Sequence, residues 1–264
     1  MRDNIRKPAP GHLSAALAAA LALWAAHASA QTAGEGRAAA CAVFKATLGE
    51  RGLSTAELST EQMEVALVRE DMVLVVDARP YEEYAMGHIT DAKCGSEVGE
   101  IEKLTGGRKG QTIVVYCNGL FCGQSKRLAQ DLLAAGYTHV SRYELGIPVW
   151  RALGHPVVIE ADAIWPTLER DKTAVVIDAR DPSAFRAGTL PGAKNVRFED
   201  VAKAKDDGRL PMLDHNTRII VVGKDASQAL AVAQEIARNA FQNVAYVAGP
   251  VLGLMRSRPL PETR

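Results

Sequence analysis

The chain has 264 residues, and its 31 lysines and arginines are balanced by 31 aspartates and glutamates. Removing the first 30 residues as a leader takes away three basic groups and one acidic group, leaving a net charge of −2 and no polybasic stretch. Nucleic acid and anionic membranes thereby lose support as partners, and a small soluble substrate or a protein partner is expected. The remaining length, roughly 230 residues, is long for one domain and comfortable for two.

In chain order, Arg2, Arg6 and Lys7 precede an apolar run from Leu13 to Ala26, and Ala28-Ser29-Ala30 forms a small-x-small cleavage site before Gln31. Residues 1–30 read as a secretory signal peptide, because the run falls short of the ~20 residues a bilayer needs. A lipid-anchored Cys41 is disfavoured, since Glu35 and Arg37 separate it from the apolar run. The mature chain is expected to be periplasmic or secreted, in an oxidising space and off the membrane once the signal is cleaved. A leader over 31–52 precedes domains at 53–156 and 157–264.

Ser59 and Gln62 form a capping box ahead of Met63, Ala66 and Leu67, which predicts a helix. Residues 73–77, 113–117 and 139–143 read as strands, and Leu128, Leu132 and Leu133 form a helical stripe ending at Gly136. In the second half, 174–178, 218–222 and 244–247 read as strands, and Ala229, Ala233 and Ile236 make a helix that ends near Asn239. Continuous apolar strands alternating with amphipathic helices predict an α/β fold: two similar domains, each a mostly parallel sheet with helices on both faces.

The halves repeat one another. Val76-Asp77-Ala78-Arg79, Gly87-His88-Ile89 and Ala92-Lys93 recur as Ile177-Asp178-Ala179-Arg180, Gly188-Thr189-Leu190 and Ala193-Lys194. Ile113 to Cys117 is matched by Ile219 to Gly223, and Tyr143 to Gly146 by Tyr246 to Gly249. A repeat of domain length reads as duplication rather than a solenoid. The second copy has glycine where the first has Cys117.

Cys117 ends an apolar strand and precedes the loop Asn118-Gly119-Leu120-Phe121-Cys122-Gly123-Gln124. In parallel sheets ligands bind beyond the carboxyl ends of the strands. There the unpaired amides and positive end of the following helix favour a thiolate. Making a thiol mostly anionic at neutral pH takes roughly 2 kcal/mol, so loop amides are expected to curl inward as an anion nest, with Gly119 and Gly123 permitting the curl. The alternative reading of Cys117 is a small buried apolar residue.

Asp77-Ala78-Arg79-Pro80, Glu83-Tyr84, Gly87-His88-Ile89, Tyr116-Cys117 and Gly146 with Trp150 resemble the rhodanese (sulfurtransferase) domain over residues 53–156, and a weaker copy follows over 157–262. The resemblance implies a tandem rhodanese and a persulfide mechanism. Cys117 would take the outer sulfur of thiosulfate or a related donor and pass it to a thiophilic acceptor such as cyanide or a thiol protein, with no cofactor or metal. It implies that a small sulfur-containing anion is bound by Asn118, Gly119, Leu120, Phe121, Cys122, Gly123 and Gln124, with Lys126 and Arg127 at the helix start. The family's active loop carries an arginine or another cation where this chain has Cys122. Thr90-Asp91-Ala92 stands where the family tends toward Pro-Gly-Ala, a form the second copy keeps as Pro191-Gly192-Ala193. The better-known tandem enzymes also keep their cysteine in the second domain, not the first.

Asp77 and Arg79 read as residues that knit a loop, His88 as a packing and hydrogen-bonding residue, and Tyr84, Trp150 and Phe185 as core or interface. Asp178, Arg180 and Gly188 read as scaffold. Four cysteines, at 41, 94, 117 and 122, allow three full pairings. The preferred scheme joins Cys41 to Cys94 and leaves Cys117 with Cys122 as candidate redox partner, able to resolve a persulfide; a permanent Cys117–Cys122 bridge is the alternative. Besides a sulfurtransferase, two function classes compete: a periplasmic redox or sulfur-carrier module using Cys117 and Cys122, and a non-catalytic interaction protein. Phosphatase chemistry is disfavoured, because residues 118–124 contain no arginine.

Overall fold

The computed structural model describes residues 55–69 and 72–256; the expected signal peptide, the leader and Cys41 lie outside the described residues. The first half runs β1 (Ala56–Glu57), α1 (Thr60–Leu67), β2 (Val73–Asp77), α2 (Tyr81–Met86), β3 (Lys93–Cys94), α3 (Val98–Thr105), β4 (Thr112–Tyr116), α4 (Gly123–Ala134), β5 (His139–Tyr143) and α5 (Gly146–Ala152). The second runs β6 (Val157–Ile159), α6 (Ala161–Arg170), β7 (Val175–Asp178), α7 (Pro182–Ala187), β8 (Lys194–Asn195), α8 (Val201–Asp206), β9 (Ile219–Gly223), α9 (Ala226–Arg238), β10 (Val244–Pro250) and α10 (Val251–Arg256). The strands form two five-stranded sheets, ordered β1-β5-β4-β2-β3 and β6-β10-β9-β7-β8. Every pairing within them is parallel.

Local sequence accounts for the helix ends. The Ser59 hydroxyl accepts from the Gln62 amide at 3.3 Å while the Gln62 side chain accepts from the Ser59 amide at 2.8 Å, completing the capping box of α1. At the end of α4, Gly136 takes φ +90°. Its amide donates to the Leu133 carbonyl and that of Tyr137 to the Leu132 carbonyl, both at 3.0 Å, a Schellman ending.

Strand alternation sorts the core into layers. Val76, Ile113 and Val115 face Ile101 of α3 and Leu128, Ala129 and Leu132 of α4. Val75, Val114 and Tyr116 face the other way, among Met63 of α1, Ala85 of α2 and Ile147 and Trp150 of α5. That second layer continues without a break into Ile159, Ile164, Ile220, Val222 and Val247, so the halves share one apolar core. The outer face of the second sheet carries its own core, with Ile177, Ile219 and Val221 against Ala229, Ala233 and Ile236 of α9.

Polar contacts join the halves as well. His88 and Val158 exchange backbone hydrogen bonds of 2.9 and 2.8 Å. The hydroxyls of Thr90 and Tyr246 meet at 3.0 Å, the Tyr81 hydroxyl donates to Asp162 at 2.8 Å, and Arg151 donates to the Asn243 side chain at 2.6 Å. The shared core shows why β6, absent from the sequence reading, matters: this three-residue strand starts the second sheet and pairs with the first half through His88. The other unread strands, β1, β3 and β8, have two residues each, too few to show a period.

Candidate active site

A buried clasp frames the site from below. Arg79 donates through Nε and Nη2 to the Asp77 carboxylate, the Nη2 contact being 2.6 Å, and Nη2 also donates to the Gly87 carbonyl at 2.7 Å. This ties the loop after β2 to the end of α2, the knitting role expected of both residues. The clasp also reaches the cysteine loop, because Arg79 Nη1 lies 3.4 Å from the Asn118 side-chain oxygen while Asn118 Nδ2 donates to Glu83 at 2.5 Å. His88 is buried, stacks on Tyr84 with ring centroids 3.8 Å apart, and has Nδ1 at 3.1 Å from the Tyr84 carbonyl oxygen. Burial lowers its pKa to about 4, so it is neutral at physiological pH.

β4 ends at Tyr116, so Cys117 is the first residue beyond the strand and lies at the carboxyl edge of the sheet. Its carbonyl accepts from the Ile147 amide at 3.2 Å, pinning the loop to the start of α5. That approach requires Gly146, which has φ +60° and sits where a Cβ would collide with the Cys117 carbonyl oxygen and the Gly119 amide nitrogen. The Cys117 thiol is 1 % exposed, and its sulfur lies 3.2 Å from Ser125 Oγ and 3.3 Å from the Cys122 carbonyl oxygen.

The expectation of a thiolate at neutral pH is corrected here. Burial pushes the Cys117 thiol up, and its hydrogen bond with the Cys122 side chain adds to this, while the hydroxyl and amide of Ser125 pull the other way. Desolvation wins because the sulfur has almost no contact with water to stabilise its charge. The expected amide nest over 118–124 is also modified, since the Cys122 amide is spent on the Gly119 carbonyl at 2.9 Å and it is the Ser125 amide that reaches the sulfur. Gly119 does supply the curl, with φ +96°, whereas Gly123 opens α4 with ordinary backbone and open space around it.

The other expected binding residues divide by position. Asn118, Leu120, Phe121, Gly123 and Arg127 are exposed, Cys122, Gln124 and Lys126 are half-buried, and Gly119 is buried. Phe121 extends fully into solvent. The Cys122 thiol donates to Gln124 Oε1 at 3.4 Å, and Arg127 is engaged with Glu97 at 3.6 Å on the surface. Ser125 was missed by sequence reasoning, which stopped the loop at Gln124. As the third residue of α4 it faces back toward the strand end, a position legible from helix geometry once the start at Gly123 is known.

The same framework without the thiol recurs in the second half. Arg180 donates to Asp178 at 2.7 Å and to the Gly188 carbonyl at 2.6 Å. Two residues separate Gly223 from α9, three fewer than separate Cys117 from α4. A Cβ on Gly223 would meet the Ala229 amide nitrogen at 3.0 Å, the Asp225 carbonyl at 3.1 Å and Gln228 Oε1 at 3.2 Å. A side chain at the position equivalent to Cys117 is thus tightly crowded in the second half.

Cys94, Cys117 and Cys122 are free thiols among the described residues, and the expected partner of Cys94, Cys41, lies outside them. Among the described residues no group of three or more His, Cys, Asp or Glu side chains is placed to hold a metal ion.

The family model for the rhodanese-like domain matches residues 59–153 and again 161–253. An HTH-type transcriptional regulator of Mycobacterium tuberculosis is 38% identical over 91 residues, which are 32% of this chain and 37% of the regulator, so the match spans little more than a third of that protein. Among solved structures, a thiosulfate sulfurtransferase from Pseudomonas aeruginosa is 21% identical, covering 76% of this chain and 42% of its own, at a TM-score of 0.34. A 3-mercaptopyruvate sulfotransferase from Escherichia coli is 19% identical, covering 75% of this chain and 99% of its own, at a TM-score of 0.34. Each family match takes in four of the five strands of one sheet, and together they cover most of the chain, which belongs to the rhodanese-like family as a tandem of two such domains.

Proposed function

We propose that the protein is a sulfurtransferase that moves sulfane sulfur through a persulfide on Cys117, from thiosulfate or a related anion to a thiophilic acceptor. One observation carries this reading: a buried thiol beyond the carboxyl edge of a parallel sheet, facing the start of α4, with a hydroxyl and an amide of Ser125 turned toward its sulfur. The Cys117 thiol first loses its proton to solvent. The thiolate then attacks the outer sulfur of thiosulfate, the sulfur–sulfur bond breaks, and sulfite leaves with the electron pair. The persulfide anion remains against Ser125 and the helix end, and attack on its outer sulfur by cyanide or a thiol regenerates Cys117.

In this reading the loop from Asn118 to Gln124 receives the donor, with Lys126 and Arg127 supplying positive charge at its edge. The second domain is inert in transfer and serves as a packed cover that shapes access to the loop. The signal-like residues 1–30 support export to a periplasmic or extracellular space. A redox module built on Cys117 and Cys122 is the second reading, favoured by the 3.3 Å approach of the Cys122 carbonyl to the Cys117 sulfur.

Thiocyanate production from thiosulfate and cyanide separates the two readings. We expect Cys117→Ser to abolish it while circular dichroism and the unfolding transition stay unchanged, because a serine hydroxyl is similar in size and not ionised at neutral pH. A Cys117→Ser protein with near-normal turnover would overturn the assignment.

A further inference from the structure

We infer that Cys122 resolves the persulfide on Cys117 within the same loop, expelling the transferred sulfur as hydrosulfide and leaving a Cys117–Cys122 disulfide for an external dithiol to reduce. This inference rests on the sulfurtransferase reading and names what becomes of the sulfur.

Loop geometry is the first ground. Gly119, at φ +96°, reverses the chain, and the Cys122 amide closes the turn on the Gly119 carbonyl at 2.9 Å. This brings the Cys122 backbone over Cys117, with its carbonyl oxygen 3.3 Å from the Cys117 sulfur. A disulfide needs Cα atoms within about 7 Å of each other, and a backbone atom of one residue touching the sulfur of the other is consistent with that spacing. The second domain, with three fewer residues between Gly223 and its helix than lie between Cys117 and α4, has no such turn and no thiol in it.

Access is the second ground. Cys117 is almost wholly buried, so a protein thiol or other bulky acceptor meets its sulfur poorly. Cys122 is more exposed and stands beside Phe121, which projects fully into solvent. An acceptor reaches Cys122 before it reaches Cys117. A third ground is charge: residues 118–124 contain no lysine or arginine to neutralise a persulfide anion, so within the loop itself no cation protects it from attack.

The chemistry balances. Cys122, as thiolate, attacks the Cys117 sulfur; the bond from that sulfur to the outer sulfur breaks, and the outer sulfur leaves with the electron pair and takes a proton as hydrosulfide. Two cysteine sulfurs are oxidised by two electrons in total, and the sulfane sulfur is reduced by the same two. An external dithiol then exchanges at the more exposed Cys122 sulfur and restores both thiols. The net reaction converts thiosulfate and a dithiol to sulfite, hydrosulfide, a proton and a disulfide.

The test uses the reduced full-length chain, freed of reductant and exposed to inorganic thiosulfate or, in parallel, to inorganic polysulfide. Intact mass, non-reducing peptide mapping and, in the thiosulfate arm, released hydrosulfide are read. The wild-type chain is expected to lose two hydrogens, map a Cys117–Cys122 bridge and release one hydrosulfide per chain. Cys122→Ser is expected to stop at one added sulfur on Cys117, with hydrosulfide lower by about tenfold or more. A wild-type chain that keeps the added sulfur as stably as the variant would overturn the inference and leave the sulfurtransferase reading intact. A bridge from Cys117 to Cys41 or Cys94, or a bridged wild type beside a variant that takes up no sulfur, would also overturn it. Failure of both proteins to take up sulfur or bridge with either donor would overturn both readings.

Discussion

The two domains share strand order, the Asp–Arg clasp and the turn that follows it, and they differ in what fills the space beyond the central strand. In the first, five residues lie between Cys117 and α4, three more than lie between Gly223 and α9, and the Cys117 sulfur sits against Ser125 and the Cys122 carbonyl. In the second, α9 begins close to the strand end, and Gln228 Oε1 accepts from the Lys224 amide at 2.9 Å, beside the position a side chain on Gly223 would take. Loss of the cysteine is therefore accompanied by tighter packing of the helix start on the strand end. Both copies nevertheless keep the clasp and contribute to the shared core.

The sharpest way to break the comparison is at the paired glycines after β5 and within β10. Gly146→Ala is expected to abolish transfer and cost roughly 3 kcal/mol or more, because the new Cβ meets rigid backbone at Cys117 and Gly119 in a left-handed conformation. Gly249→Ala, at the matching position in the second copy, has open space and should change stability by less than about 0.5 kcal/mol. Equal effects in urea denaturation would show that the first loop is no more tightly fixed than the second.

A second contrast sets His88 against Thr189, which occupies its place and donates to Asp178 at 2.6 Å. The folded-state pKa of His88, about 4, lies below the ordinary 6.5, so the unfolded chain binds more protons between those values and stability falls as pH drops through that window. The loss by the bottom of the window is roughly 3 kcal/mol. His88→Phe keeps the stacking surface on Tyr84 and removes the titration, so its stability should be flatter between pH 6.5 and 4. An unchanged acid limb in denaturation curves would assign the loss to other groups.

Ser125 and Gln228 form a third pair. With the Cys117 pKa raised by burial, the rate of persulfide formation should climb with pH into the alkaline range instead of levelling at neutrality. Ser125→Ala removes a hydrogen bond to the charged sulfur, so the rate at neutral pH should fall about tenfold, with the pH profile displaced further to alkaline pH. A lower rate with an unmoved profile would make Ser125 a packing residue only.

The smallest expected effect is at Asp91 and Gly192. Both take left-handed backbone, at φ 63° and 74°, and only the second is glycine. Asp91→Gly should raise stability by up to about 1 kcal/mol with transfer unchanged, whereas Gly192→Asp should lower it by a similar amount. The departure from Pro-Gly-Ala at Thr90-Asp91-Ala92 has a use in the first copy, where the Thr90 hydroxyl bonds Tyr246 of the second.

Much of this protein was determined by sequence alone. Duplication, parallel α/β architecture, the capping box at Ser59, the Schellman glycine at 136 and the seat of Cys117 follow from periodicities and local hydrogen-bonding rules that act within a few residues. Sequence also identified Asp77 and Arg79 as loop-knitting residues and His88 as a packing residue. The edge strands were not legible, because two or three residues carry no period and pair only when a neighbouring strand arrives. The ionisation of Cys117 was misread for a related reason. The helix end that favours a thiolate is visible in the chain order, but the burial that opposes it comes from packing by the loop and α4, and that desolvation is the largest influence on the thiol. Ser125 and the shared core across both sheets likewise exist only once distant segments meet, since their effects depend on distances that sequence spacing does not set.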